Sequence, residues 1–248
     1  MDVREGDSDA IPIGSGTGGS KSTLVNSVAI KLAVDMVIAK ARIAAAQALD
    51  VRPDVLRFER GAFSLPSSPQ TVHVVDIAAK NPKMLDSEAE APLRDGSSAN
   101  GCHACEVEID PKTGAVEIIR YTAVDDFGHV IDTADARGQA QGGVAMGLGQ
   151  ALVEIAPTPL ALQHPVITSP FGHALFRAED IPIVDWVDNG IISPTNVLGA
   201  KACGEAGMSA ATPTVMNAII DALRDYPRAR DLQMPARTGD IWAIVAGR

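Results

Sequence analysis

The sequence is poor in aromatic residues and in cysteine, and both shortages narrow the range of functions. Only 4% of its 248 residues are Phe, Trp or Tyr, too few for a surface on which nucleic-acid bases stack. The net charge of −10 also argues against binding to nucleic acid, which requires clustered Lys and Arg to displace counterions from phosphates. Three cysteines are an odd number for a disulfide framework and fit a reducing compartment.

Targeting segments are not apparent in the sequence either. The first residues, Met1 to Asp7, have neither the basic region nor the apolar region of a secretory signal. No run approaches the ~20 apolar residues that a membrane span needs. With 46% hydrophobic residues, the chain is expected to be a globular, cytoplasmic protein with one large or two small cores. The turn-like stretch 6–13 has no earlier element to pair with, which predicts a chain that begins in the middle of a fold.

The patterning predicts an α+β fold with mixed or antiparallel sheets and packed helices. Apolar residues three or four apart predict a long helix over 22–49. Residues 83–100 are polar and indicate an exposed connection. We therefore expect two regions, 1–95 with a glycine-rich loop and the long helix, and 96–248 with the remaining elements. In the first region, short elements are also expected at 55–58 and 62–65 (strands) and at 76–80 (helix).

The second region carries the stronger local signals. Residues 102–109 and 115–124 alternate between apolar and polar side chains on either side of Asp110-Pro-Lys-Thr-Gly114, which predicts a β-hairpin. A glycine-rich helix is predicted over 135–154. Each interior glycine costs roughly 0.5–1 kcal/mol relative to Ala, so another backbone or a ligand is expected to pack closely there. Further elements are expected at 181–187 (strand), 208–223 (helix) and 241–245 (a short closing segment).

One carboxylate stands out because glycines surround it, in Gly199-Ala-Lys-Ala-Cys-Gly-Glu-Ala-Gly207. Glu205 precedes the predicted helix 208–223, and backbone N–H groups and the dipole at a helix N-terminus favour an anionic or oxygen-rich ligand. One interpretation is a functional carboxylate that a ligand approaches closely. The other is an ordinary acid in the first helical turn that stabilises the dipole, with glycines that only mark a loop.

A second glycine-rich stretch, Gly16-Thr-Gly-Gly-Ser-Lys-Ser-Thr23, precedes the long helix and is open to three interpretations. Glycines followed by Lys21 and a helix resemble a nucleotide-binding P-loop, but Ser20 occupies the position that requires glycine and no apolar strand precedes the loop. The second interpretation is a helix N-terminus whose backbone N–H groups bind a different phosphate or a pyrophosphate. A flexible turn capped by Ser or Thr is the third interpretation.

Three further motifs carry less weight. Asp126-Phe-Gly128 matches a kinase tripeptide, but no His-Arg-Asp segment precedes it, so we interpret the match as chance. Cys102-His-Ala-Cys105 has the spacing of half a zinc site, but no second half follows, and strand alternation puts the two cysteines on opposite faces. Cys203 is a nucleophile only if a histidine reaches it, and the sequence specifies no such partner.

Taken together, five ordered motifs resemble the molybdenum-binding large subunit of the xanthine dehydrogenase, aldehyde oxidase and carbon monoxide dehydrogenase family, specifically its C-terminal part. The resemblance runs over almost the whole chain. Its motifs are the stretches 6–9 with 16–23, Asn100 to Pro111, Ala123 to Gly128, Gly138-Gln-Ala-Gln-Gly-Gly143, and Gly199 to Gly207.

The resemblance implies a role for each of these loops. Glu205 is then the catalytic base of a hydroxylation that uses water as oxygen donor and an aldehyde or N-heterocycle as substrate. No metal ligand is implied in this chain. Iron–sulfur centres and FAD are expected on partner subunits, and the upstream half of the molybdenum subunit is expected as a further partner. The implied molybdopterin contacts, in a form with or without a nucleotide, are Gly18, Gly19, Ser20, Lys21, Ser22, Thr23, Gln139 and Gly204.

The resemblance covers only roughly the last third of the family's large subunit, and within that part the chain departs from the family pattern at two places. Lys21 stands where the family usually has Arg. The planar guanidinium, which can form two parallel hydrogen bonds, is thus replaced by an ammonium group that acts as a point charge. The stretch 155–174 is shorter and richer in proline, so His164, Phe171 and His173 are expected to reshape the substrate side. The alternatives to a hydroxylase component, which we expect to be inactive alone, are a non-catalytic remnant or interaction module of the same fold and a phosphate- or nucleotide-binding protein.

Overall fold

The computed structural model describes residues 6–11, 14, 16–66, 68–81, 83–90, 98–155 and 174–247. The chain divides into two compact units. The smaller unit is Ser22–Asp95, and the larger one combines Met1–Lys21 with Gly96–Arg248. Both units contain helices and a three-stranded sheet, so the predicted α+β class is confirmed.

The smaller unit consists of one long helix, a small antiparallel sheet and a short helix. Its helices are α1 (Ser22–Ala48) and α2 (Val74–Lys80). The sheet has the order β1-β2-β3. Its core forms where the alanine-rich end of α1 permits close approach, because Ala41 and Ala45 are fully buried with Phe63. The strands are β1 (Arg57–Glu59), β2 (Ala62–Ser64) and β3 (Thr71–His73).

The sequence analysis expected no segment apolar enough to span a membrane, but helix α1 meets the criteria of length and composition. Its 27 residues are long and apolar enough to cross one, by length and composition alone. Only 6% of its most apolar stretch is buried, so Ile30, Leu32 and Met36 remain exposed. The sequence prediction missed this because single polar residues, such as Lys31 and its ion-pair partner Asp35 at 2.5 Å, interrupt the apolar run. Core helices of soluble proteins and signal sequences meet the same criteria of length and composition.

The larger unit is built on a mixed sheet of order β4-β5-β6. Strands β4 (Asn100–Ile109) and β5 (Val116–Asp126) form the predicted hairpin. Its turn is fixed by Asp110, whose carboxylate accepts from the Lys112 N–H at 2.9 Å and the Thr113 hydroxyl at 2.8 Å. Strand β6 (Val184–Asp188) adds to β5 in parallel.

Two helices of the larger unit, α3 (Thr133–Leu152) and α4 (Ala206–Ala222), cross with their backbones in contact. An ideal Cβ built on Gly143 would lie 2.8 Å from the Met208 nitrogen, and one on Gly207 would lie 2.3 Å from the Ala140 carbonyl oxygen. The contact at Gly143 therefore explains part of the glycine content of α3. The unit ends with α5 (Thr238–Val245). The core of this unit contains six fully buried large side chains: Tyr121, Val144, Leu148, Val215, Ile219 and Ile241.

Candidate functional site

Glu205 lies at the junction between a loop and helix α4. It is the N-cap residue of α4, but its side chain makes no capping hydrogen bond to the helix. Instead, the carboxylate Oε2 accepts a hydrogen bond of 2.8 Å from the Ser20 hydroxyl. No capping contact therefore supports the interpretation of Glu205 as an ordinary helix-stabilising acid. Its exposed carboxylate faces the glycine-rich stretch near the start of the chain.

Ser20 holds an uncommon backbone conformation at this contact. Its φ is 54°, and two glycines of the same loop, Gly16 and Gly19, also have positive φ, at 67° and 61°. A non-glycine residue in this region is strained, and such strain is concentrated at functional sites. The space beside the loop is open, since ideal Cβ atoms on Gly16, Gly18 and Gly19 would meet nothing within 4 Å.

Gly204 brings a third segment to the same place. A Cβ at Gly204 would lie 3.2 Å from the Ser20 hydroxyl oxygen and 3.3 Å from Nε2 of Gln139, on helix α3. Any larger residue at position 204 would fill the space between these two polar groups. Among the described residues, the side-chain amide of Gln139 has no hydrogen-bond partner, and it is exposed. The arrangement therefore fits a ligand rich in polar oxygen and nitrogen atoms, which would take the free amide donors.

The other residues predicted to contact the cofactor are located by the structure, but their geometry points to no particular ligand. Lys21 is partly exposed and makes no salt bridge within the part of the chain that the structure describes. Ser22 and Thr23 are the first two residues of α1. His164, Phe171 and His173, which we expected to reshape the substrate side, lie outside the described residues.

An ion pair that the sequence interpretation did not predict holds the start of the Glu205 loop. Asp126, in the tripeptide interpreted as a chance kinase match, forms a largely buried ion pair with Lys201. The ammonium of Lys201, with the backbone N–H groups of Ile191 and Gly128, lowers the pKa of Asp126 to about 2. No local pattern in the sequence indicates this pair, because its two residues lie 75 positions apart.

A buried polar network lies in the sheet beneath the helices. Asp125 is 2% exposed and accepts from Nε1 of Trp186 at 3.0 Å, while its other oxygen lies 3.1 Å from Nε2 of His103. Nδ1 of His103 in turn lies 2.9 Å from the Tyr121 hydroxyl. Burial raises the pKa of Tyr121. His103 is therefore a satisfied histidine of the core.

Within the described residues, none of the three cysteines belongs to a metal-binding cluster. Cys102 is exposed, whereas Cys105 is partly buried, and burial raises the pKa of the Cys105 thiol to about 11. Burial also raises the pKa of Cys203, which disfavours the thiolate form at both positions. Among the residues that the structure describes, no group of three or more His, Cys, Asp or Glu side chains is placed to hold a metal ion.

Solved structures with the same fold define the class of the protein. The chain superimposes on the Cu,Mo-containing carbon monoxide dehydrogenase in its carbon monoxide-reduced state with a TM-score of 0.82 and 26% identity, over 98% of this chain and 32% of that one. It also superimposes on quinoline 2-oxidoreductase from Pseudomonas putida 86 with a TM-score of 0.76 and 25% identity, over 94% of this chain and 31% of that one. The fold is that of a molybdenum cofactor-binding domain of an oxidoreductase.

The particular family follows from the sequence comparison. Residues 1–182 match the molybdopterin cofactor-binding domain, and the chain belongs to this family. A curated relative is the gamma subunit of the 6-hydroxypseudooxynicotine dehydrogenase complex of Paenarthrobacter nicotinovorans, 32% identical over 236 residues. That match covers 91% of this chain and 30% of the relative. The chain thus spans about a third of the length of the relatives it matches, and the resemblance inferred from the five motifs is confirmed.

Proposed function

We propose that this chain supplies the catalytic base and one side of the cofactor site of a molybdenum hydroxylase. The proposed reaction oxidises an aldehyde or an N-heterocycle with water as the oxygen donor. The observation that carries the proposal is the hydrogen bond of 2.8 Å between the Ser20 hydroxyl and Glu205, which joins two motifs separated by 185 residues. The relatives named above, which include quinoline 2-oxidoreductase, support an N-heterocycle as one substrate class.

The proposed cofactor contacts follow the polar groups that surround Gly204. The backbone N–H groups of 18–21 and the side-chain amide of Gln139 would donate hydrogen bonds to molybdopterin, and Lys21 would add a positive charge. Gly204 leaves room for the cofactor because a side chain there would meet Ser20 and Gln139. When bound, molybdopterin supplies the molybdenum that takes up two electrons from the substrate.

Glu205 has the properties that a general base requires. Its carboxylate is exposed and free of helix capping, so one oxygen can accept a proton while the other accepts from Ser20. The Ser20 hydroxyl limits the rotation of the carboxylate, which keeps the base in one orientation. In the proposed reaction, Glu205 takes the proton from the hydroxyl group whose oxygen enters the product.

A partner chain is proposed because large apolar side chains of the larger unit are exposed. Three isoleucine side chains between residues 183 and 192 are mostly exposed, with Ile183 at 87%, Ile191 at 67% and Ile192 at 64%. Patches of this kind mark interfaces. The proposed partners are a polypeptide that corresponds to the upstream half of the relatives' molybdenum subunit, and cytoplasmic subunits that carry iron–sulfur centres and FAD.

Affinity purification from the cells that naturally make the protein tests this proposal. Metal analysis and identification of the co-purifying chains are the two measurements. Molybdenum together with a larger partner and iron–sulfur and flavin subunits is the expected result. A metal-free chain that purifies alone would contradict the proposal and would favour a non-catalytic remnant of the fold.

A further inference from the structure

Three loops of the larger unit meet at the carboxylate of Asp126, at the end of β5. Its Oδ1 accepts from the N–H of Gly128 at 3.0 Å and from the N–H of Ile191 at 2.8 Å. Its Oδ2 accepts from Nζ of Lys201. The side chains of Asp126 and Lys201 are 12% and 13% exposed, so water screens the pair only partly.

The backbone around this carboxylate is close-packed. The Lys201 N–H donates to the Phe127 carbonyl at 2.7 Å, and the carbonyl of Gly199 accepts from the N–H groups of His129 and Ser193, each at 2.8 Å. An ideal Cβ on Gly128 would lie 2.4 Å from that same Gly199 oxygen. The segment that begins the Glu205 loop is thus fixed at Gly199 and Lys201 by two neighbouring segments.

The second end of the loop is fixed by helix packing. Gly207, two residues after Glu205, contacts the backbone of α3 so closely that a Cβ would lie 2.3 Å from the Ala140 carbonyl oxygen. Only Ala202, Cys203 and Gly204 separate Lys201 from Glu205. A chain of this length, held at both ends, leaves Glu205 little freedom to move away from Ser20.

We propose that Lys201 and Asp126 are positioning residues for Glu205, and that their ion pair holds the loop in the form that brings the carboxylate to Ser20. The inference rests on the proposed function, because the benefit of a fixed carboxylate is catalytic. Lys201 acts through the loop and does not touch the substrate. Removing one partner of a buried pair leaves the other charge uncompensated, so the loop is expected to open when Lys201 is replaced.

The experiment compares K201M with a matched control in the assembled enzyme. The control is R120M, which breaks the exposed Arg120–Asp185 pair on the same sheet. Hydrogen–deuterium exchange of peptides that cover 189–193 and 199–205 is the first readout, and kcat per bound molybdenum is the second. In K201M we expect exchange in these peptides to be at least about 10-fold faster. We also expect kcat to fall about 10²-fold with a smaller change in KM, since misplacement of a catalytic group costs that much. R120M should change neither readout.

Two further variants separate charge from packing. K201R keeps the positive charge and should restore part of the lost kcat. If K201M does not assemble, the double variant D126N/K201M, which is neutral and keeps an oxygen for the Gly128 and Ile191 N–H groups, is measured in its place. Wild-type exchange in 199–205, or wild-type kcat per molybdenum in K201M, would overturn the inference.

A parallel measurement on E205Q distinguishes the two possible failures. If E205Q is inactive while K201M turns over at the wild-type rate, only the positioning inference fails. If E205Q is fully active, the proposed base is wrong. Slow exchange of 199–205 in K201M would still overturn the positioning inference by itself, because that readout does not depend on turnover.

Discussion

The Ser20 hydroxyl donates a hydrogen bond of 2.8 Å to the carboxylate of Glu205, across 185 residues of sequence. Ser20 makes this contact from a backbone with φ of 54°, and Glu205 makes it from the N-cap of α4 without capping the helix. Neither residue is placed by its own local structure alone. The contact therefore depends on the fold that brings the two segments together.

The Ser20 contact can be tested with two substitutions that both remove the hydroxyl. S20A and S20G should each lower kcat per bound molybdenum about 10-fold in the assembled enzyme, because a hydrogen bond to a charged group is lost. Glycine accepts positive φ without strain, so S20G is the control for backbone conformation. Loss of activity in S20A with wild-type activity in S20G would show that the conformation matters and the hydroxyl does not.

Two adjacent glycines of α3 should respond to alanine in opposite directions. A Cβ at Gly143 would lie 2.8 Å from the Met208 nitrogen of α4, whereas one at Gly142 would meet nothing within 4 Å. G143A should therefore lower the free energy of unfolding by about 1–3 kcal/mol through overpacking. G142A should raise it by roughly 0.5–1 kcal/mol, because alanine has a higher helix propensity than glycine and the added Cβ meets no neighbour. Urea unfolding measures both, and equal effects would contradict the described crossing of α3 and α4.

The Asp126–Lys201 pair should make stability depend on pH in the acid range. The pKa of Asp126 is lowered from 3.8 to about 2 in the folded chain. Its contribution is therefore fully present above about pH 4 and is lost as the pH falls towards 2. The difference in unfolding free energy between wild type and D126N should be largest at pH 5 and above, and should shrink between pH 4 and 2. A difference that does not vary over this range would contradict the pairing.

Local patterns predicted the main elements well. The helix expected at 22–49 is Ser22–Ala48, and the hairpin expected at 102–109 and 115–124 extends over Asn100–Ile109 and Val116–Asp126. Periodicity and turn chemistry act over a few residues, so these signals are readable without the rest of the fold. The strand β3 and the helical form of 238–245 were missed, because both are short and depend on packing.

Long-range contacts were beyond the reach of local patterns. The resemblance indicated Ser20, Gln139 and Glu205 separately, but only the fold brings Ser20 to Glu205, and their roles stay predictions. The interpretation of Asp126-Phe-Gly128 as a chance match correctly set aside a kinase but missed the acceptor role of Asp126. That role depends on Ile191 and Lys201, which lie 65 and 75 residues further on.

The glycine content of α3 was explained only in part by close packing. Gly143 and Gly147 contact α4, as expected of glycines that permit a second backbone to approach. Gly138 and Gly142 face open space instead. Periodicity could not separate the two groups, because the position of α4 decides which side of α3 is covered.

The most direct test of the proposed base is E205Q in the assembled enzyme, assayed with a panel of aldehydes and N-heterocycles. Glutamine keeps the shape of the side chain and an oxygen that can accept from Ser20, but it cannot take a proton at neutral pH. If Glu205 is the base, kcat per bound molybdenum falls about 10²–10⁴-fold while the molybdenum content is unchanged. Turnover of E205Q at the wild-type rate would contradict the assignment.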